Sequence, residues 1–143
     1  MKEDYDTARA AFSVARTEQE KIVRAQPDDD WRMQSDALCF LGLIDAALGR
    51  KQEALSEGRR AVDLRPITKD ALIGAEILYF YAAICAQVGE RDLAIEQLKT
   101  LAQIPAGASY GDLRLDPYWD LLRGDPRFEK IVASLAPKEI ATR

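Results

Sequence analysis

The chain has 143 residues, 48% of them apolar, with 20 basic side chains, 24 acidic side chains and no histidine. A chain of this length buries roughly two thirds of its unfolded-state surface, so its core needs no disulfide or metal. The absence of histidine excludes Ser-His-Asp triads and histidine general bases from these residues. The net charge of −4 argues against a nucleic-acid-binding module, which needs clustered positive charge.

The N-terminal residues are acidic where a secretory signal is basic and then apolar, so we expect a cytoplasmic protein. The first predicted helix spans residues 4–25, and Ala8, Phe12 and Ala15 lie on one of its faces. These residues fit the second arm of a two-helix unit whose first arm is missing, which predicts further sequence upstream of Met1. An uncovered apolar face promotes association, so we expect a homo-oligomer through this self-association edge.

The central part of the chain repeats itself at an offset of forty residues. The matching pairs are Leu38 with Leu78, Ile44 with Ile84, Gly49 with Gly89, and Ala54 with Ala94. Small residues recur at intervals of seven and five residues within each copy, which predicts a helix, a tight turn at the glycine and an antiparallel helix. Gly42 should then face Ala54, and Ala82 should face Ala94.

Several positions of each copy coincide with a known repeat pattern. In the first copy they are Leu38, Leu41, Gly42, Ala54 and Pro66, and in the second Leu78, Tyr81, Ala82, Ala94, Leu98 and Pro105. The pattern resembles the tetratricopeptide repeat over about residues 3–106. Asp45 and Cys85 replace its tyrosine, and Gly58 replaces its phenylalanine at a cost of up to ~1 kcal/mol inside a helix. The resemblance implies an all-α fold of antiparallel helix-turn-helix repeats that stack into a right-handed α-solenoid.

The most apolar segment, residues 71–88, approaches the length of a membrane span. Glu76 interrupts this segment and charged residues flank it closely. We therefore expect a helix buried between other helices, with a membrane span as the alternative.

Beyond residue 106 the repeat stops, and two Asp-Pro pairs predict the starts of two short helices, since Asp is a preferred N-cap and Pro fits the first turn. The apolar residues of these two helices should cover the open end of the last repeat. They are Trp119, Leu121, Leu122, Phe128, Ile131, Val132 and Leu135. We expect one domain over residues 1–143. Its parts are half of a truncated repeat at 1–27, repeats at 30–68 and 69–108, capping helices at 109–136 and a tail at 137–143.

The string LRLDPYWDLLRGDPRF at residues 113–128 resembles the C-terminal part of tetratricopeptide domains in bacterial serine/threonine kinases, adenylate cyclases and winged-helix regulators. In those proteins an upstream domain carries the output while the repeats recognise partners. This chain has no glycine-rich nucleotide loop and no kinase catalytic motif. The resemblance therefore implies a non-catalytic protein-binding scaffold without cofactor or metal, or alternatively the regulatory or sensory domain of a larger bacterial signalling protein.

In repeats of this kind the first helices line the concave face, so we expect the partner-binding groove there. The predicted lining residues are Asp36, Cys39, Leu43 and Ala47 from the first copy, and Glu76, Tyr79, Ala83 and Gln87 from the second. This lining is apolar in its middle and acidic at one end, which favours an amphipathic helix or extended segment over a carboxylate-clamp ligand. The alternative is that the first helix or the tail of the chain itself partly fills the groove.

Other residue groups have a functional and a structural interpretation. The basic residues at 50, 51, 59, 60 and 65 could bind phosphate, but neighbouring acids favour a solvated convex face. Cys39 and Cys85 are isolated thiols, which we expect to pack as small hydrophobic side chains. Trp31 and the aromatic run at 79–81 could form a stacking pocket, although we expect them in the core.

Overall fold

The computed structural model describes residues 2–27 and 29–137, and the predicted tail beyond residue 137 lies outside this part of the chain. The described residues are all-helical and contain no strand, which confirms the predicted all-α class. The α-helices are α1 (Lys2–Ala25), α2 (Trp31–Ala47), α3 (Lys51–Leu64), α4 (Ala71–Gln87), α5 (Arg91–Leu101), α6 (Tyr110–Leu115) and α7 (Pro126–Ser134). A 3-10 helix, Pro117–Leu122, lies between α6 and α7.

The same turn closes the hairpins α2–α3 and α4–α5. Gly49 and Gly89 have φ angles of +74° and +84°, a conformation that glycine adopts without steric cost. In each turn the amide that follows the glycine donates a hydrogen bond of 2.8 Å, to the carbonyl oxygen of Asp45 in one hairpin and of Cys85 in the other. The forty-residue repeat of the sequence is therefore also a repeat of backbone geometry.

Small residues let the paired helices approach closely. A Cβ added to Gly42 would lie 3.2 Å from the carbonyl oxygen of Ala54 and 2.9 Å from Cδ1 of Ile84, so Gly42 faces Ala54 as predicted. The alanines at these interfaces are fully buried, namely Ala54, Ala82 and Ala94. A Cβ on Gly58 would lie 2.7 Å from the ring of Tyr81. Gly58, which departs from the repeat pattern, therefore makes room for an aromatic ring of the next hairpin.

Both Asp-Pro pairs start helices, as predicted. A side-chain oxygen of Asp116 accepts a hydrogen bond of 3.0 Å from the amide of Tyr118, and Asp125 accepts one of 2.9 Å from the amide of Arg127. Helix α6 was not predicted from the sequence. This helix begins with a reciprocal capping box between Ser109 and Asp112.

The C-terminal elements pack onto the hairpin α4–α5. Trp119, Leu122 and Phe128 are fully buried in the main core together with residues of α4 and α5. Leu121, which was expected to join them, is 52% exposed, and that prediction is wrong. A 3-10 helix has three residues per turn, so Trp119 and Leu122 share its buried face while Leu121 lies on another.

The second half of helix α1 packs on α2. Val23 joins the core cluster of Leu38 and Cys39, and the side chain of Gln19 donates a hydrogen bond of 2.9 Å to the carbonyl oxygen of Ala37. Every side chain from residue 4 to residue 15 is exposed, and this stretch includes the predicted self-association edge. In the described part of the chain no helix is both long and apolar enough to cross a membrane, which removes the span considered for residues 71–88.

Candidate functional site

Three aromatic side chains form a row where α2, α4 and the 3-10 helix meet. The ring centroids of Phe40 and Phe80 are 6.5 Å apart, and those of Phe80 and Tyr118 are 6.4 Å apart. Phe40 is 54% exposed, and the other two rings are partly buried. A contiguous exposed aromatic surface of this kind is typical of an interaction site.

Two adjoining cavities accompany the aromatic row. The first has a volume of about 180 Å³, and its lining includes Asp36, Cys39, Phe40, Arg65, Glu76 and Phe80. The second has a volume of about 330 Å³, and its lining includes Glu76, Tyr79, Phe80, Gly107, Asp112 and Asp116. The two cavities adjoin each other, because Glu76 and Phe80 line both. We call this depression the aromatic groove, and we define it as the residues named for the two cavities together with Tyr118.

The structure brings half of the predicted groove residues to this depression. Those that line it are Asp36, Cys39, Glu76 and Tyr79. Those that do not are Leu43, Ala47, Ala83 and Gln87. Ala83 is fully buried in the main core and offers a partner no surface, and Leu43 packs against the cluster of buried side chains behind α2. Only the N-terminal two thirds of α2 and α4 therefore contribute to the groove.

At one end of the groove, Tyr79 of α4 contacts the C-terminal elements. Its hydroxyl donates a hydrogen bond of 2.9 Å to Asp116 and accepts one of 3.1 Å from the indole nitrogen of Trp119. The rings of Tyr79 and Trp119 meet edge to face with centroids 5.1 Å apart. Burial and the hydrogen bond to Asp116 raise the pKa of Tyr79. Tyr79 thus connects α4 to the 3-10 helix, which belongs to the predicted capping segment and not to the first helix or the tail.

The sequence analysis assigned Trp31 and Phe80 to the core and did not single out Phe40 or Tyr118. Trp31 is 41% exposed, so that expectation is wrong, and Phe80 lies partly buried in the groove. Phe40 and Phe80 lie one position beyond the predicted stripe, at equivalent places in the two copies of the repeat. Each follows an acidic residue by four positions, Asp36 in α2 and Glu76 in α4, so acid and ring lie on one helix face. This repeated spacing was the available signal, whereas Tyr118 offered none because it lies outside the repeat.

The groove is strongly acidic. Four carboxylates line its two cavities, those of Asp36, Glu76, Asp112 and Asp116, against the single guanidinium of Arg65. The pKa of Cys39 is raised to about 12, mainly by burial and to a lesser extent by the negative charges of Asp36 and Glu76. The thiol therefore stays protonated at neutral pH.

Arg65 is held by the protein itself. Its guanidinium binds both carboxylate oxygens of Asp36, at 3.0 and 3.3 Å, and donates to the carbonyl oxygen of Arg32 at 2.9 Å. Arg65 is only 6% exposed, so the expectation that it belongs to a solvated face is wrong. The guanidinium fixes the end of α3 to α2, which the spacing of basic residues alone did not indicate.

A second cluster of charges is buried at the junction of α1, α2 and α3. Asp45 is fully buried, and its carboxylate forms ion pairs with Nε of Arg16 at 2.5 Å and with Nε of Arg50 at 3.0 Å. A carboxylate oxygen of Glu57 is buried beside them without a hydrogen-bond donor. Burial and the negative charge of Asp45 raise the pKa of Glu57 to about 8. This cluster fixes α1 to the first hairpin.

The carboxylates of the groove do not form a metal site. Among residues 2–27 and 29–137, no three histidine, cysteine or acidic side chains converge as metal ligands.

Comparison of the chain with protein-family models, curated proteins and solved structures finds no match.

Proposed function

We propose that this protein is a non-catalytic scaffold that binds a peptide or helical segment of a partner protein in the aromatic groove. The observation that carries the proposal is the row of Phe40, Phe80 and Tyr118, which is open to solvent and contributed by three separate elements. Apolar side chains of a bound segment would remove this surface from water, which is the main source of affinity in helix-in-groove recognition.

The surroundings of the two thiols and of the groove carboxylates favour binding over catalysis. Cys39 is buried with a raised pKa, and Cys85 is fully buried with a pKa raised to about 11, mainly by burial. Neither thiol is therefore activated as a nucleophile. The acidic side chains of the groove lie around an exposed depression, where water is not excluded from a reacting group.

We further propose that the two hairpins are tetratricopeptide-like repeats. Their shared glycine turn, their small residues at the helix interfaces and their forty-residue offset support this assignment. In such repeats the groove lies on the face formed by the first helices, here α2 and α4.

A regulatory domain of a larger signalling protein is the second candidate function, and α1 favours it. Residues 4–15 are exposed throughout, with Phe12 at 42% and Tyr5 at 65%. A helical stretch of this length has little stability in water on its own and gains stability by packing on another surface. A second copy of this chain is the occupant that we propose for the self-association edge.

The groove proposal is tested by selecting binding peptides from a random display library on the purified protein. Selected peptides should bind Phe40→Asp at least ~10-fold more weakly than wild type, as expected for a central aromatic contact. Leu115→Asp is the matched control, because Leu115 is 80% exposed and lies outside the groove. Equal binding to wild type and Phe40→Asp, or no enriched peptide, would contradict the proposed function.

A further inference from the structure

Each hairpin presents the same pair of side chains to the groove. Asp36 and Phe40 in α2, and Glu76 and Phe80 in α4, occupy equivalent positions of the forty-residue repeat. Residues four apart are neighbours on a helix surface, so each acid lies one turn from its phenylalanine. An acidic residue therefore lies beside a phenylalanine twice, and the two rings are 6.5 Å apart. The carboxylate of Asp36 is paired with Arg65, whereas that of Glu76 has no ion-pair partner among the described residues.

Within residues 2–27 and 29–137, no basic side chain forms an ion pair with a carboxylate of the second cavity. Glu76 is exposed, and no ion pair of the described residues involves it. Asp112 accepts hydrogen bonds from the amide and hydroxyl of Ser109, at 3.0 and 2.6 Å, and Asp116 accepts one from the hydroxyl of Tyr79. These donors are neutral, so they orient the carboxylates without cancelling their charge.

Neighbouring cations are engaged elsewhere. Arg65 binds Asp36 in the first cavity. Arg123 forms an ion pair with Asp120 at 2.8 Å. Its hydrogen bond to Asp116, at 3.3 Å, is to the backbone carbonyl oxygen and not to the carboxylate. Bringing a positive group between the carboxylates of the second cavity would relieve their mutual repulsion.

We propose that the partner segment is a basic amphipathic helix of another protein, and this inference rests on the proposed function. A lysine or arginine of the segment lies among Glu76, Asp112 and Asp116, and an apolar side chain one turn away lies against Phe40 and Phe80. Charge complementarity selects this occupant, because an acidic segment or a phosphate backbone would be repelled by the same carboxylates.

Three synthetic peptides of about 16 residues test the inference, with the same leucine and phenylalanine positions and with lysine, glutamine or glutamate at every polar position. Fluorescence anisotropy gives their affinities at about 50 and about 300 mM NaCl. We expect the lysine peptide to bind at least ~10-fold more tightly than the glutamate peptide, with the glutamine peptide between them. The affinity of the lysine peptide should fall with added salt.

Variants of the protein locate the interaction. Glu76→Lys should weaken binding of the lysine peptide by at least ~5-fold and strengthen that of the glutamate peptide. Glu96→Lys is the matched control, because Glu96 is an exposed acid on α5 outside the groove and gives the same change of net charge. Equal loss in the two variants would contradict the location, since the effect would then come from overall charge.

The outcomes separate this inference from the proposed function. If the three peptides bind equally and Phe40→Asp weakens all of them, the groove binds peptides but the preference for a basic partner is wrong. If the lysine peptide does not bind at about 1 mM, or binds Phe40→Asp as well as wild type, both proposals are contradicted.

Discussion

The substitution Glu57→Gln tests the buried charge cluster between α1, α2 and α3. One carboxylate oxygen of Glu57 is buried without a donor and faces the negative charge of Asp45. Burial is the largest cause that raises the pKa of Glu57 from its ordinary value of 4.5 to about 8. A proton on Glu57 can be donated to Asp45, and the amide of glutamine reproduces that neutral donor.

The direction of the pH dependence follows from proton binding. Between about pH 4.5 and pH 8 the folded state holds a proton on Glu57 that the unfolded state has lost. The free energy of unfolding therefore decreases as pH rises through this interval. A shift of one pKa unit corresponds to ~1.4 kcal/mol of free energy of unfolding. Because the side chain of Glu57 is only partly buried, solvent screening reduces the loss of stability over this interval to on the order of 2 kcal/mol.

Urea unfolding followed by circular dichroism measures this effect on wild type and Glu57→Gln between about pH 5 and about pH 8.5. The two proteins should be similarly stable at the acidic end, and the variant should be more stable by on the order of 2 kcal/mol at the alkaline end. Glu96→Gln controls for the loss of one exposed negative charge. A stability difference that does not change with pH, or a variant that is less stable at alkaline pH, would contradict the protonation of Glu57 in the folded state.

Three further predictions concern packing, the C-terminal elements and assembly. Gly42→Ala should lower the free energy of unfolding by ~1 kcal/mol in urea titrations, since its clash with Ile84 outweighs the gain in helix propensity. Tyr79→Phe should cost about 1–3 kcal/mol in the same assay, because the buried indole N–H of Trp119 loses its acceptor. Phe12→Asp should reduce the mass measured by light scattering at high concentration, and a wild-type protein that is already monomeric would contradict self-association through α1.

The features that depend on local sequence were predictable. Turn glycines, Asp-Pro caps and small residues at fixed intervals are set by backbone conformation and helix spacing, and the structure has them where the pattern indicates. The hairpin architecture follows from these features, because a three-residue connection forces neighbouring helices to pack antiparallel.

The long-range polar contacts were not predictable. Arg16 and Asp45 are 29 residues apart, as are Asp36 and Arg65, and no periodicity within one helix indicates such pairs. The position of Tyr118 beside Phe80 depends on a 3-10 helix whose three-residue turn differs from the α-helical period assumed for the C-terminal elements. The acid and phenylalanine repeated in α2 and α4 were visible in the sequence, but only the structure shows that both pairs open onto one groove.

The most direct test of the account is a titration of the isotope-labelled protein with the lysine peptide, followed by amide chemical shifts in two-dimensional NMR spectra. The account predicts that the shifts that change cluster around Phe40, Phe80 and Tyr118, on α2, α4 and the 3-10 helix. Changes confined to the outer faces of α3 and α5, around Arg60 and Glu96, with an unchanged aromatic groove, would contradict it.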